Sequence, residues 1–198
     1  MGKQSIATKP FIESLLNDLT KALSGPELRR NKDWTDAVWY FFSKFTSNGQ
    51  SKSRKSDEWD FHPKSRSSGR GGEYLVDFIL LENGYGPRIA VECEWQFWRK
   101  DALRSIDWAF DKLRGVKSDI KLLIYEWRVP PTAGGPDQKL RERIVQYISD
   151  YELISPNEAF VFLQYNGGAA YAYWWKPRRA GSHKKNEIKF ELLKLSAK

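Results

Sequence analysis

The chain has 198 residues, 40% hydrophobic and 15% aromatic, enough for one domain (1–198) with a sizeable core. Its single cysteine excludes an internal disulfide, and no apolar run reaches the length of a membrane helix. The opening MGKQSIATKP lacks a signal peptide's apolar core, so the expected compartment is the cytoplasm, with no membrane partner. The formal net charge of +8 sits in two Ser/Gly/Pro-containing segments: residues 49–72 carry +3 and residues 176–189 carry +5, leaving the rest neutral. A polyanion-binding protein distributes charge this way; two solvated loops whose lysines aid solubility explain either segment alone nearly as well.

Phe11, Leu15, Leu16, Leu19 and Leu23 recur at helical spacing, which predicts a helix over 11–24 stopped by Gly25-Pro26. A second helix is expected from Trp34 to about Phe45, with Asp33 as its N-cap, completing an N-terminal helical part over 11–46. The run SNGQSKSRKSDEWDFHPKSRSSGRGG has neither period and reads as a mobile basic loop, with Trp59 and Phe61 available to tether its middle. YLVDFILLE (74–82) and RIAVECEW (88–95) flank the turn signal NGYGP and predict an antiparallel hairpin whose two faces are both covered. Residues 98–113 form an amphipathic helix, and IKLLIYEW (120–127) a buried strand parallel to the one ending in Glu94. A helix over 137–151 and strands AFVFLQY, AYAYWW and IKFELLKL follow, the last after the second basic loop. The order α-α-β-β-α-β-α-β-β-β predicts an α/β fold with a central mixed sheet flanked by helices.

Two acids end the apolar strand RIAVECEW, Glu92 and Glu94, on one side of the chain. With a four-residue turn Asn83–Gly86, Glu82 pairs with Pro87 and Asp77 with Glu92, so all three acids share a face; a slip of one residue moves Asp77 to the other face. Like charges at such distances cost about 2–3 kcal/mol per contact at an effective dielectric near 20. A hard divalent ion such as Mg²⁺ reverses that sign, being held by one or two carboxylates plus waters and phosphate oxygens. The bland reading, acids at a solvated strand end, is weakened because these acids interrupt otherwise buried strands ahead of an amphipathic helix and a parallel strand.

The hairpin Asp77 … Glu92-Cys93-Glu94, followed by helix and parallel strand, resembles the core of the PD-(D/E)xK nucleases, the restriction-endonuclease-like superfamily, over residues 73–127. The resemblance implies Asp77 and Glu92 as metal ligands, with the Cys93 backbone carbonyl as a third, and Mg²⁺ (replaceable by Mn²⁺) as cofactor. Glu94 stands where that family usually has the lysine that positions the attacking water. Some type II restriction enzymes carry Glu or Gln there, and EWQFWRKD looks like their continuation. Catalytic candidates are therefore Asp77, Glu92 and Glu94; Arg99 and Lys100 are placed to reach a phosphate, Lys112 is a conceivable substitute lysine, and Glu73 a peripheral ligand.

The expected activity is Mg²⁺-dependent hydrolysis of DNA, with RNA open as a substrate and the basic loops (Arg66, Arg70, Arg178, Arg179, Lys184, Lys185) closing on the backbone. The alternative is a nuclease fold that binds nucleic acid without cutting. Site-specific duplex cutting usually calls for a homodimer, which no sequence feature proves. The only histidines, His62 and His183, lie in the basic loops, which argues against a histidine-based metal site. Cys93 reads as a small buried side chain, and SGRGGE lacks the ending of a P-loop. Trp174 and Trp175 border the second basic loop, where one of them can stack a base; core packing is the expectation for most of the nine tryptophans.

Overall fold

A computed structural model describes residues 5–24, 31–47, 59–62, 76–95, 102–126, 138–152, 154–166, 169–193 and 195. The elements are α1 (Lys9–Leu23), α2 (Asn31–Ser47), β1 (Trp59–His62), β2 (Phe78–Glu82), β3 (Gly86–Glu94), α3 (Ala102–Gly115), β4 (Ile120–Glu126), α4 (Gln138–Ser149), β5 (Ala159–Asn166), β6 (Ala169–Trp175) and β7 (Glu191–Leu193). All seven strands join one sheet in chain order; β3, β4 and β5 are parallel and every other neighbour is antiparallel. The protein is thus an α/β fold with a central mixed sheet between helices.

Each helix lies where its apolar stripe directs it. In α1, Ile12, Leu15, Leu16, Leu19 and Leu23 are buried, and each is worth roughly 1.5–3 kcal/mol of transfer free energy before chain entropy is counted. They pack with Val38 and Phe42 of α2 against Ile89, Val91, Leu122 and Ile124. On the opposite face, Ile106, Ala109, Phe110 and Leu113 of α3 and Leu140, Ile144 and Ile148 of α4 pack on Ala90, Leu123, Phe160 and Phe162. Side chains alternate along a strand, so odd positions of β3 face α1 and α2 while even positions, Glu92 and Glu94 included, face α3.

Four expectations need correction. The basic segment 49–72 is not all loop: Trp59–His62 is an edge strand antiparallel to β2, with Trp59 opposite Glu82 and His62 opposite Ile79. Aromatic contacts fix it, Phe61 lying 6.3 Å from Phe42 and 5.9 Å from Phe78, and Trp59 lying 6.2 Å from Phe45. Asp33 stands inside the first turn of α2, not at its cap, because the helix already begins at Asn31. The last strand spans only Glu191–Leu193; Ile188 is instead buried behind a 3-10 turn over Lys185–Glu187. The predicted helix start at 98 and the PPTAGGP loop fall outside the described residues, and α3 is described from Ala102.

The fourth correction concerns the hairpin. Its turn is one residue tighter than expected, so Glu82 faces Gly86 and Leu81 faces Pro87. The Tyr85 N–H donates to the Glu82 carbonyl at 2.9 Å, and Gly84 (φ +79°) and Gly86 (φ +77°) take the left-handed backbone that glycine accepts without strain. A bulge at Arg88 then absorbs the missing residue, and from Leu80 opposite Ile89 onward the register is the expected one. The bulged Arg88 is buried: its Nε is 3.0 Å from Glu82 Oε2 and its Nη1 is 3.1 Å from Asp119 Oδ2, which also accepts the Ile6 N–H.

Candidate active site

Extending the Phe78–Val91 pairing by one step places Asp77 opposite Glu92, just before β2 begins. Two hydrogen bonds close the contact: the Asp77 N–H donates to Glu92 Oε1 at 2.8 Å, and the Cys93 N–H donates to Asp77 Oδ2 at 2.9 Å. Lys112, three residues from the C-terminal end of α3, donates from Nζ to Glu92 Oε2 at 2.9 Å. Helical Cα–Cβ bonds lean toward the N-terminus, so a lysine there extends back along the sheet toward Glu92. The strand end is held from behind: Trp95 stacks 5.6 Å from Trp34 and donates from Nε1 to Thr35 Oγ1 at 2.9 Å.

The electrostatics follow from burial. Glu92 is 0% exposed. Burial and the Asp77 charge raise its pKa to about 8, against the pull of Lys112 and the Asp77 N–H. Burial and Asp77 likewise raise Glu94 to about 7, with Lys112 opposing. Asp77 is raised by burial although the Cys93 N–H and Lys112 favour its carboxylate. Burial pulls Lys112 down, but its hydrogen bond to Glu92 and the charges of Glu92, Asp77 and Glu94 outweigh this and hold it above the ordinary lysine value. Burial, then the same three acids, pushes the Cys93 thiol up, so Cys93 is no nucleophile at neutral pH.

Among the described residues, no group of three or more His, Cys, Asp and Glu is placed to hold a metal ion. The smaller set, Asp77 with Glu92, is two adjacent carboxylates whose proton affinity burial raises, that of Glu92 further through the Asp77 charge; such a pair could take a hard divalent ion that keeps most of its waters, in competition with Lys112. Glu94 adds a third acid on the same face, paired across the ladder with Tyr125, which pairs in turn with Gln164. Tyr125 and Gln164 are wholly buried in this polar row and were not singled out from the sequence, although a glutamine inside AFVFLQY is the signal that marks it.

The other expected site residues divide in two. Arg66, Arg70, Glu73, Arg99 and Lys100 lie outside the described residues. Arg178, Arg179, Lys184 and Lys185 are described, and they are not beside the acids. β6 runs antiparallel to β5 and ends with Trp175 opposite Phe160, at the end where β3, β4 and β5 begin. Trp175 itself is buried, and Trp174 is half-buried with its Nε1 donating to Glu191 at 3.0 Å.

No protein-family model matches the chain, and neither a curated protein nor a solved structure matches it. What is defined is therefore the class: an α/β protein with a central mixed sheet, two carboxylates and a lysine meeting at the carboxyl end of β3. None of the described helices is long and apolar enough to cross a membrane.

Proposed function

We propose that this protein is a metal-dependent nuclease of the restriction-endonuclease-like class that hydrolyses DNA phosphodiesters. The observation that carries the reading is the Asp77–Glu92–Lys112 constellation: a hairpin supplies two carboxylates and the next helix returns a lysine to within 2.9 Å of one of them. Lys112 thereby takes over from α3 the cationic role whose usual strand position is filled by Glu94. Asp77 and Glu92 would hold Mg²⁺, which when bound neutralises charge on the phosphate's non-bridging oxygens.

The chain's own groups supply the remainder. Glu94, with a pKa of about 7, exchanges its proton near neutral pH and is the base for the attacking water. The water gives a proton to Glu94 as its oxygen bonds to phosphorus; the bond to the leaving sugar oxygen breaks, that oxygen takes its proton from solvent, and the Lys112 ammonium stabilises the charge that accumulates between the two oxygens. Magnesium-dependent degradation of DNA by the purified protein is expected, with activity lost in Glu92→Ala. If both proteins are equally inactive on single- and double-stranded DNA with Mg²⁺ or Mn²⁺, the enzyme reading is dropped; RNA is assayed in parallel as the other substrate.

One observation favours a second reading, a nuclease-fold protein that binds nucleic acid without cutting: Lys112 Nζ already occupies Glu92 Oε2, an oxygen that a metal would need. That protein binds DNA in a salt-sensitive way that survives Glu92→Ala and Glu94→Ala. A homodimer accompanies the first reading where cleavage of duplex DNA is site-specific, and sedimentation of the DNA complex tests it.

A further inference from the structure

The cationic segment 176–189 forms a cleft of its own, of about 630 Å³, lined by Trp174, Arg178, Arg179, His183, Lys189 and Glu191 among others. Along the ladder, Trp175 shares a row with Phe160, Lys121 and Ala90, and Glu94 lies four residues further along β3. Four residues of strand and three strand spacings put roughly 20 Å between the cleft's edge and Glu94. A single phosphate cannot touch both.

The cleft is built and not merely charged. Lys176 Nζ donates to the Ala7 carbonyl at 2.8 Å, and the Gly181 N–H donates to the Ile154 carbonyl at 2.9 Å. His183 is buried, 3.1 Å from the Arg179 carbonyl and edge-on to Trp175 at 5.0 Å. The cleft's acids are already engaged. Glu187 accepts from Arg179 Nη2 and from the Lys184 N–H, both at 3.1 Å, while Glu191 takes Trp174 Nε1 and Lys9 Nζ. Arg178 and Lys189 on the cleft's lining, and Lys184 and Lys185 on the segment beside it, remain exposed, and none forms a salt bridge among the described residues. Solvent-facing cations in and beside an open trough, with Trp174 on its wall, suit the repeating phosphates of a nucleic-acid strand better than one small anion.

We propose that this cleft is a second polyanion site, an anchor that holds backbone phosphates of a nucleic acid away from the place where the acid pair acts. It rests on the nuclease reading only for the choice of polymer. The test is fluorescence anisotropy of a 20-base-pair duplex in EDTA, so that nothing is cut, across a salt series. Wild type is compared with the quadruple variant R178A/K184A/K185A/K189A, and both with the same pair carrying Glu92→Gln. The four side chains are exposed, and unchanged thermal melting verifies the fold. The slope of log affinity against log salt is expected to flatten by about 3 to 4, one counterion for nearly each charge removed. The flattening is expected to be equal in the Glu92→Gln background, because two sites that share no phosphate act additively. An unchanged slope overturns the anchor, as does a loss that disappears in Glu92→Gln, or binding to anionic phospholipid vesicles with none to DNA. Cleavage by wild type with an unchanged slope sinks the anchor alone; a flattened slope with no cleavage in magnesium sinks the nuclease reading alone.

Discussion

Glu92 and Glu187 are both glutamates hydrogen-bonded to cations, and they sit at opposite ends of the sheet with opposite proton affinities. Burial and a neighbouring carboxylate push Glu92 up to about 8 even though Lys112 touches it. Glu187 is exposed, and the Lys184 N–H, with the charges of Arg179 and His183, holds it below the ordinary carboxylate value. Partners alone therefore do not decide; solvation does. The acid end keeps charged groups out of water at a cost to folding, which is why it is the candidate active site. The basic end keeps its charges in water at almost no cost, so the proposed anchor would show only when a polyanion is present.

Breaking that contrast at Lys112 has the largest expected effect. Lys112→Met keeps the apolar stem and removes the cation that, among the described residues, touches Glu92. DNA cleavage is expected to fall about 100-fold or more, the usual range for a group acting on the transferring proton or developing charge. The melting temperature should move by only a few degrees, because the Lys112 side chain is 33% exposed and Glu92, already raised to about 8, holds its proton more firmly once the ammonium is gone. Undiminished cleavage in this variant removes the lysine from the chemistry.

How much of this the sequence disclosed differs between the two ends. The pairing of Asp77 with Glu92 was legible from alternation and a turn signal, but only because two departures cancel: the turn is one residue shorter than NGYGP suggests, and Arg88 bulges out to restore the register. A bulge leaves no local mark when the residue that enforces it finds its partner Asp119 far along the chain. β1 was hidden for a similar reason, since four residues in a Ser/Lys-rich run become a strand only when Phe42, Phe45 and Phe78 receive their rings. Lys112 was readable as a candidate on α3, yet its reach to Glu92 depends on where the helix ends above the sheet. The basic segments were legible as composition and illegible as location, because no periodicity states at which end of a sheet a chain emerges.

A pH series sharpens the comparison by an intermediate amount. Folded Glu92 keeps its proton until about pH 8, whereas its ordinary value is 4.5. Between those values the folded state binds more protons than the unfolded one, so stability falls as pH rises through the window and carries no such penalty below it. Glu94 adds to the slope up to about pH 7. Urea unfolding in EDTA is expected to give a protein weaker at pH 8 than at pH 5 by roughly 1–3 kcal/mol, with the difference reduced in Glu92→Gln and opposed by Mg²⁺ at pH 8. A flat profile in the wild type means that the carboxylates are solvated and the acid end is an ordinary strand terminus.

The smallest effect belongs to Glu187→Gln at the basic end. The amide retains an oxygen that can accept the Lys184 N–H, so the 3-10 turn survives, and a lowered pKa on an exposed carboxyl leaves no penalty to relieve at neutral pH. Melting at pH 7 should be unchanged. Yet the substitution removes the acid that Arg179 now pairs with and raises the cleft's charge by one, so the slope of DNA affinity against salt should steepen by about 1. If affinity instead weakens, Glu187 serves to aim Arg179 and not to mask it. The basic end then depends on a held geometry as the acid end does, and the contrast between the two narrows to burial alone.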